Sequence, residues 1–411
     1  MKGIPLKKIS GNAGALLLIQ VANALLPLIL APYLTRVLGK DGYGLFAVGI
    51  ALIQMATILT DYGFGLSAVY QIARAKQKNS RIKRIVGAVY ANKICICLVV
   101  VAALLVYPLL QHAYTGQRSY FWLLTLSVIG ITLQPTWLFQ GVERMTLITI
   151  YVVASRASFL ILTLLLVDGP EDLARVALIN GVTHLASAAT ALLLMRRVGL
   201  WPIWPGIRYA AFILRSSTGY FWSRLAVASY GAGAILFLGS FSTPAQVAIY
   251  SVAEQFYRGA IAMSAPISQA VYPYMARHRD IFLFKRIFKI VIALTAVGSL
   301  LGLLCGRLLI NVIFGIDYHE SYSILLVFLL ALCAAIPSTL LGYPLLGAMG
   351  NAAAANQSVL FASVMQIVTL FVLWLNDLTS ALAVAAAVLV AEFSAFAWRI
   401  KHALPHLRKS I

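Results

Sequence analysis

The segment VAEQFYRGAIAMSAPIS (252–268) places Glu254 and Arg258 four residues apart in otherwise apolar sequence. On a helix these positions share one face, so the pair can neutralise itself. Three further cations, Lys93, Arg156 and Arg224, stand in apolar runs with no acid at helical spacing. Asp61 and Glu392 are the remaining acids in such surroundings, both nearer the expected ends of their runs. Guanidinium and ammonium in excess of carboxylate suit anion binding, since the arginine fork takes two phosphate oxygens and lysine adds a point charge. Arg224 and Arg258 are therefore expected to line a substrate cavity, joined by Lys93 and Arg156. The competing expectation is a set of interhelical ion pairs that only fixes packing. Glu254, Asp61 and His184 are the groups able to carry a coupling proton. For His184 a hydrogen-bonded packing role competes. Asp61 begins DYGFG (61–65), where two glycines can loosen a helix into a hinge or leave amides for the carboxylate to cap.

The elements that hold these residues are membrane spans. Of 411 residues 61% are hydrophobic and only 11% charged, with a mean hydropathy of +0.90. A soluble domain has about 25% charged residues, so the chain is expected to be an all-α polytopic membrane protein. Its apolar runs are mostly long enough for helices crossing about 30 Å of hydrocarbon, which satisfy their own backbone groups. Twelve spans are expected, near 10–34, 43–66, 85–107, 120–140, 147–167, 173–195, 211–238, 246–273, 287–313, 322–345, 357–375 and 380–400. The loops are short and leave no soluble catalytic domain. The first run is too long for a signal-peptide core and lacks a cleavage site.

The formal charge of +20 does not point to nucleic acid, because the basic residues lie in short runs between spans rather than on one soluble face. Lys2, Lys7, Lys8, RAKQKNSRIKR (74–84), Arg144, Arg196, Arg197, Arg208, RHRDIFLFKR (277–286), Lys401, Arg408 and Lys409 fall at one set of ends. The other ends hold little beyond Arg36, Lys40, Arg118 and Arg175 among basic residues, and carry the acids Asp168, Glu171, Asp172, Asp317, Glu320 and Asp377. The positive-inside rule then puts both termini in the cytoplasm. Cys95, Cys97, Cys305 and Cys333 all lie in apolar runs without metal-site spacing, and are expected to be small buried packing residues. No cofactor or metal is expected.

The chain repeats itself. AVYQIAR (68–74) is echoed by AVYPYMAR (270–277), and PTWLFQG (135–141) by PSTLLGYPLLG (337–347). Both pairs are displaced by about half the chain. Two six-helix bundles, 1–200 and 201–411, related by a pseudo-twofold axis along the membrane normal, are expected. Pro135, Pro266, Pro273, Pro337 and Pro344 are expected kinks. The tryptophans and Tyr220 suit an interfacial belt, with Tyr220 and Trp222 as candidates for stacking on sugar.

The block YLTRVLGKDGYGLFAVGIALIQMATILTDYGFGLSAVYQIAR (33–74), with PTWLFQGVERM (135–145), VYPYMAR (271–277) and LGAMGN (346–351), resembles the Wzx-type polysaccharide exporters of the multidrug/oligosaccharidyl-lipid/polysaccharide superfamily. That resemblance implies two bundles around a central cavity in the bacterial inner membrane. It implies alternating access that moves an undecaprenyl-diphosphate-linked oligosaccharide from the cytoplasmic to the periplasmic leaflet. A diphosphate is the kind of anion a cationic interior could hold. The substrate, membrane lipids, and a polymerase or glycosyltransferases of the same pathway are the implied partners. With no extra pair of spans, the fourteen-span lipid II flippase is a poorer match. A multidrug exporter would want unpaired acids and aromatic faces in its cavity. A polymerase or glycosyltransferase would want acids on an external loop, and the longest such segment (107–119) has none. The absence of a Walker motif removes ATP as the direct driver.

Overall fold

A computed structural model describes the backbone of residues 6–75 and 79–408. Lys2, residues 76–78, Lys409 and the side chains of Lys7, Lys8 and Arg408, all used to infer orientation, lie outside what it describes. The chain is built from α1 (Leu6–Asp61), α2 (Phe64–Arg74), α3 (Asn79–Leu110), α4 (Arg118–Leu133), α5 (Thr136–Gly141), α6 (Met145–Leu166), α7 (Leu173–Arg197), α8 (Ile207–Phe241), α9 (Pro244–His278), α10 (Ile281–Ile313), α11 (Ser321–Leu340), α12 (Ala352–Leu375) and α13 (Ala381–Arg408). Each expected span falls on these helices, α1 carrying the first and most of the second across a break at Gly39, while the spans expected at 43–66, 120–140 and 322–345 run past the ends of α1, α4 and α11. There φ is 68°, a conformation open to glycine without strain.

Among the described residues nine helices are long and apolar enough to cross a bilayer. A tenth qualifies if Ile207–Ser229 and Gly231–Phe241 count as one bent span. Helix α9 is too polar for that test, but its stretch Val247–Glu254 is buried by its neighbours. Polar residues at membrane depth persist where protein, not lipid, surrounds them. The fold is all-α and polytopic.

By contacts the chain forms two compact units, Met1–Gly39 with Gly49–Leu225, and Lys40–Val48 with Ala226–Ile411. The boundary runs through α8.

In the first unit, tight approach comes from glycine, because apolar packing alone does not drive helices together in lipid. A Cβ at Gly130 of α4 would lie 2.6 Å from the backbone of His184 on α7, and one at Gly181 would lie 2.6 Å from Leu126. The two helices therefore approach backbone to backbone at Gly130 and backbone to side chain at Gly181. As expected, Pro135 interrupts a span: α4 ends at Leu133, and the carbonyl this frees accepts from Tyr90 Oη at 2.8 Å. Trp137, read as a belt residue, is instead buried against Tyr90.

The second unit packs on alanines. Ala331, Ala334 and Ala335 of α11 and Ala385, Ala387 and Ala391 of α13 are all buried. Its helices start on side-chain caps: Thr243 for α9, Asp280 for α10 and Asn351 for α12, each satisfying an amide the first turn leaves free. Helix α9 runs through Pro266 and Pro273 as one element. The break lies instead at Gly342, in a π-helical turn Leu341–Gly347 that follows α11. The strap Lys40–Val48 packs here too, with Tyr43 Oη accepting from Gln255 at 2.5 Å. A Cβ at Gly44 would sit 1.8 Å from the Pro244 carbonyl, so the glycine of GKDGYG permits that contact.

The cysteines depart from expectation. Cys97 is buried, whereas Cys95, Cys305 and Cys333 are on exposed faces. A thiol is apolar enough to sit on a helix face in hydrocarbon.

Candidate functional site

Three polar groups occupy the spans, two of them in the first unit. The first is centred on Asp61. Helix α1 stops there, Tyr62 and Gly63 take positive φ (44° and 79°), and α2 begins at Phe64. The Asp61 carboxylate caps the new helix, accepting from Gly65 N–H at 3.2 Å. A Cβ on Gly63 would fall 2.8 Å from Tyr220 Cβ and 2.9 Å from the Phe221 amide nitrogen. That missing methyl lets α8 approach and brings Arg224 to Asp61, Nη1 to Oδ2, at 2.5 Å. Lys93 of α3 stands 3.9 Å from the other carboxylate oxygen. Tyr62 stacked on Phe221 at 4.4 Å and Ser67 bonded to Ser217 at 2.6 Å hold the same seam. Asp61 is thus both cap and counter-ion. The hinge reading and the capping reading of DYGFG describe one structure.

In the second unit Arg258 Nη2 meets Glu254 Oε1 at 2.8 Å, the pair anticipated from its spacing. One turn of α9 also carries Tyr257, whose buried hydroxyl donates to Glu392 of α13. Gly231 leaves room for the Arg258 guanidinium, 3.5 Å from where its Cβ would be. The guanidinium is not enclosed, with 45% of its side chain exposed.

The third group surrounds Arg156 on α6. It lines a cavity of about 550 Å³ within the first unit. No Asp or Glu lines that cavity, and among the described residues Arg156 makes no hydrogen bond or ion pair. His184 lines it as well, its Nδ1 3.5 Å from the Gln134 amide. Hydroxyls stitch the walls: Ser155 donates to Thr183 O at 3.2 Å and Ser187 to Tyr151 O at 3.0 Å, tying α6 to α7.

Helical spacing pairs only Glu254 with Arg258, and the structure adds a second pairing. Lys93 and Arg224 share a carboxylate from a different span, which helical spacing does not reveal, and Arg258 has its own. Arg156 is the member without a counter-ion among the described residues. Sequence reasoning also missed the carboxamides Gln54, Gln134, Gln140 and Asn180 lining the Arg156 cavity; their signal was polarity inside apolar runs. It missed Arg399 too, which donates to Ser338 O at 2.8 Å and to Ser358 Oγ at 2.7 Å, holding the end of α11. Tyr220 and Trp222 do not line the Arg156 cavity.

The fold and the charges built into its spans define an all-α polytopic membrane protein. The chain belongs to the polysaccharide biosynthesis protein family, whose model matches residues 9–279. It is 27% identical over 323 residues, 77% of this chain and 78% of the relative, to a protein of Escherichia coli K12 named "Putative O-antigen transporter". A Shigella dysenteriae protein of the same name is 25% identical over 279 residues, 65% of this chain and 67% of the relative. In fold it is similar to the lipid II flippase MurJ in an inward closed conformation, with a TM-score of 0.73 at 13% identity, covering 96% of this chain and 89% of that one. It is also similar to an inward-facing multidrug resistance MATE family transporter, with a TM-score of 0.61 at 14% identity, covering 96% of each chain.

Proposed function

We propose that this protein is a flippase for undecaprenyl-diphosphate-linked oligosaccharide repeat units. It moves them from the cytoplasmic to the periplasmic leaflet of the bacterial inner membrane by alternating access, with both termini cytoplasmic. The observation that carries this reading is Arg156, a guanidinium in a membrane-depth cavity with no acid in its lining. A cation there is costly unless something anionic meets it, and a diphosphate headgroup is such an anion. The membrane acids are engaged: Asp61 by Arg224 and Lys93, Glu254 by Arg258, and Glu392 by Tyr257. A multidrug cation would thus find no free carboxylate among them.

Arg224 and Arg258 act as second-stage contacts. Their side chains are 39% and 45% exposed, so an arriving phosphate can compete for them with Asp61 and Glu254. Lys93 biases the first of these pairs. Asp61, Glu254 and His184 are the groups placed to take a coupling proton when such a pair opens.

The test is complementation of an exporter-null strain. The intact chain should restore surface polysaccharide. Arg156→Gln should reduce it at least tenfold with normal amounts of folded protein, and Arg156→Lys should recover part. Full surface polysaccharide with Arg156→Gln would refute the role of this residue. Failure of the intact chain, together with acquired resistance to lipophilic cations, would refute the flippase reading.

A further inference from the structure

The Arg156 cavity holds more than an anion site requires. Four carboxamides reach it from separate stretches of the first unit: Gln54 on α1, Gln134 in the α4–α5 break, Gln140 on α5 and Asn180 on α7. Gln54, Gln140 and Asn180 make no side-chain hydrogen bond among the described residues, and Asn180 is 6% exposed. A buried amide without a partner is costly; Asn180 is one, and with Gln140 half-buried and Gln54 exposed on the same cavity the group points to a ligand that supplies their partners.

The chemistry of that ligand follows from the lining. A carboxamide presents an acceptor and two donors in one plane. Hydroxyl and N-acyl groups use both kinds. A bare phosphate only accepts, and would leave every amide carbonyl unmatched. A lipophilic cation would want carboxylates or aromatic faces, and neither lines the cavity. Aliphatic side chains, Ile53, Ile131 and Ile148 among them, also line the cavity and suit the C–H face of a sugar ring. A volume of about 550 Å³ is in the range of small-ligand sites, roughly 300–1,000 Å³, and fits a short glycan rather than a polymer.

We infer that this cavity is a glycan subsite within the first unit, an inference resting on the flippase reading. Its carboxamides hold hydroxyl and N-acyl groups of a short sugar chain. Arg156 holds an anionic oxygen beside them, drawn from the diphosphate at the reducing end or from a carboxylate on a sugar.

The test uses the full-length chain in lipid nanodiscs and three probes: undecaprenyl diphosphate, the same lipid bearing a neutral N-acetylated disaccharide, and the same lipid bearing a disaccharide with one uronic acid. The intact protein should bind both sugar-bearing lipids about tenfold tighter than the bare one. Gln140→Leu and Asn180→Leu should each remove about fivefold or more of that advantage, as expected when a buried polar contact is lost, and leave the bare-lipid Kd unchanged. Arg156→Gln should weaken all three probes if it holds the diphosphate, and only the uronic-acid probe if it holds a sugar carboxylate. The near-isosteric Gln140→Glu and Asn180→Asp keep the fold if leucine does not. Their added carboxylate should weaken the probe whose anion Arg156 holds. An undiminished sugar advantage in the leucine variants, equal binding of bare and sugar-bearing lipids by the intact protein, or unchanged affinity in the acidic variants overturns the subsite. If the intact protein binds none of the three lipids but takes up lipophilic cations, the flippase reading fails, and the subsite with it.

Discussion

Replacing Asp61 by asparagine keeps the size of the side chain and an oxygen for the Gly65 amide, so α2 retains its cap. What it removes is a charge shared by Arg224 at 2.5 Å and Lys93 at 3.9 Å. At an effective dielectric constant near 20, a unit pair about 4 Å apart attracts by about 4 kcal/mol. The two cations do not suffer equally. The Lys93 side chain is 5% exposed and has little solvent to turn to. The Arg224 side chain is 39% exposed, so its loss is screened and smaller. Breaking a buried pair typically costs about 3–5 kcal/mol, and Asp61→Asn is expected to lie in that range, mostly through the stranded ammonium. Lys93→Met should then be nearly neutral in the intact protein, where Asp61 keeps Arg224. In the Asp61→Asn background it should recover about 2 kcal/mol, because a methionine stem fills the site without charge. The assay is reversible unfolding in mixed detergent micelles of the intact protein, both single variants and the double variant. Additivity of the two changes to within about 0.5 kcal/mol, the behaviour of independent sites, would show that Lys93 does not depend on Asp61.

Gly63→Ala forces a methyl to 2.8 Å from Tyr220 Cβ at a φ of 79°. It should cost about 3 kcal/mol in the same unfolding assay, and a loss below about 1 kcal/mol would mean the break is not held by this contact. Exchanging Glu254 and Arg258 for one another preserves an i, i+4 pair but puts the longer arginine at the buried position 254, and should cost about 1–3 kcal/mol of stability. Surface polysaccharide should still fall in that variant because the half-exposed cation has moved a turn; restored export would assign the pair to packing alone. Arg399→Met strips the donors from Ser338 O and Ser358 Oγ and should destabilise the chain by about 2–4 kcal/mol. A hydrogen-exchange map should locate the loosening at the end of α11, and unchanged protection there would contradict the role given to Arg399.

Much of this arrangement was legible along the chain. The Glu254–Arg258 pair follows from helical geometry, since four residues bring two side chains to one face wherever the helix sits. Pro135 announced the end of α4 because it cannot donate an amide. The glycines of DYGFG marked a break, and the carboxylate beside them a cap. Less visible was the π-helical turn at Leu341–Gly347, where one proline and two glycines permit several kinks and the chain breaks at Gly342. Pro266 and Pro273, in contrast, left α9 continuous.

The partners of the other charges were not legible. Asp61 and Arg224 are 163 residues apart, and nothing local in either run names the other. The carboxamides of the Arg156 cavity were passed over because neutral polar residues raise no alarm in a charge inventory, and because they come from separate helices. From composition and period the sequence alone determined a polytopic helical membrane protein with cations in its spans, since burial of backbone amides in hydrocarbon admits few other structures. Which cation has a counter-ion and which faces an acid-free cavity was decided only by tertiary structure. Those pairings depend on how closely one helix can approach another, and that distance is set by single missing methyls, such as those of Gly63 and Gly130, acting on residues far away in the chain.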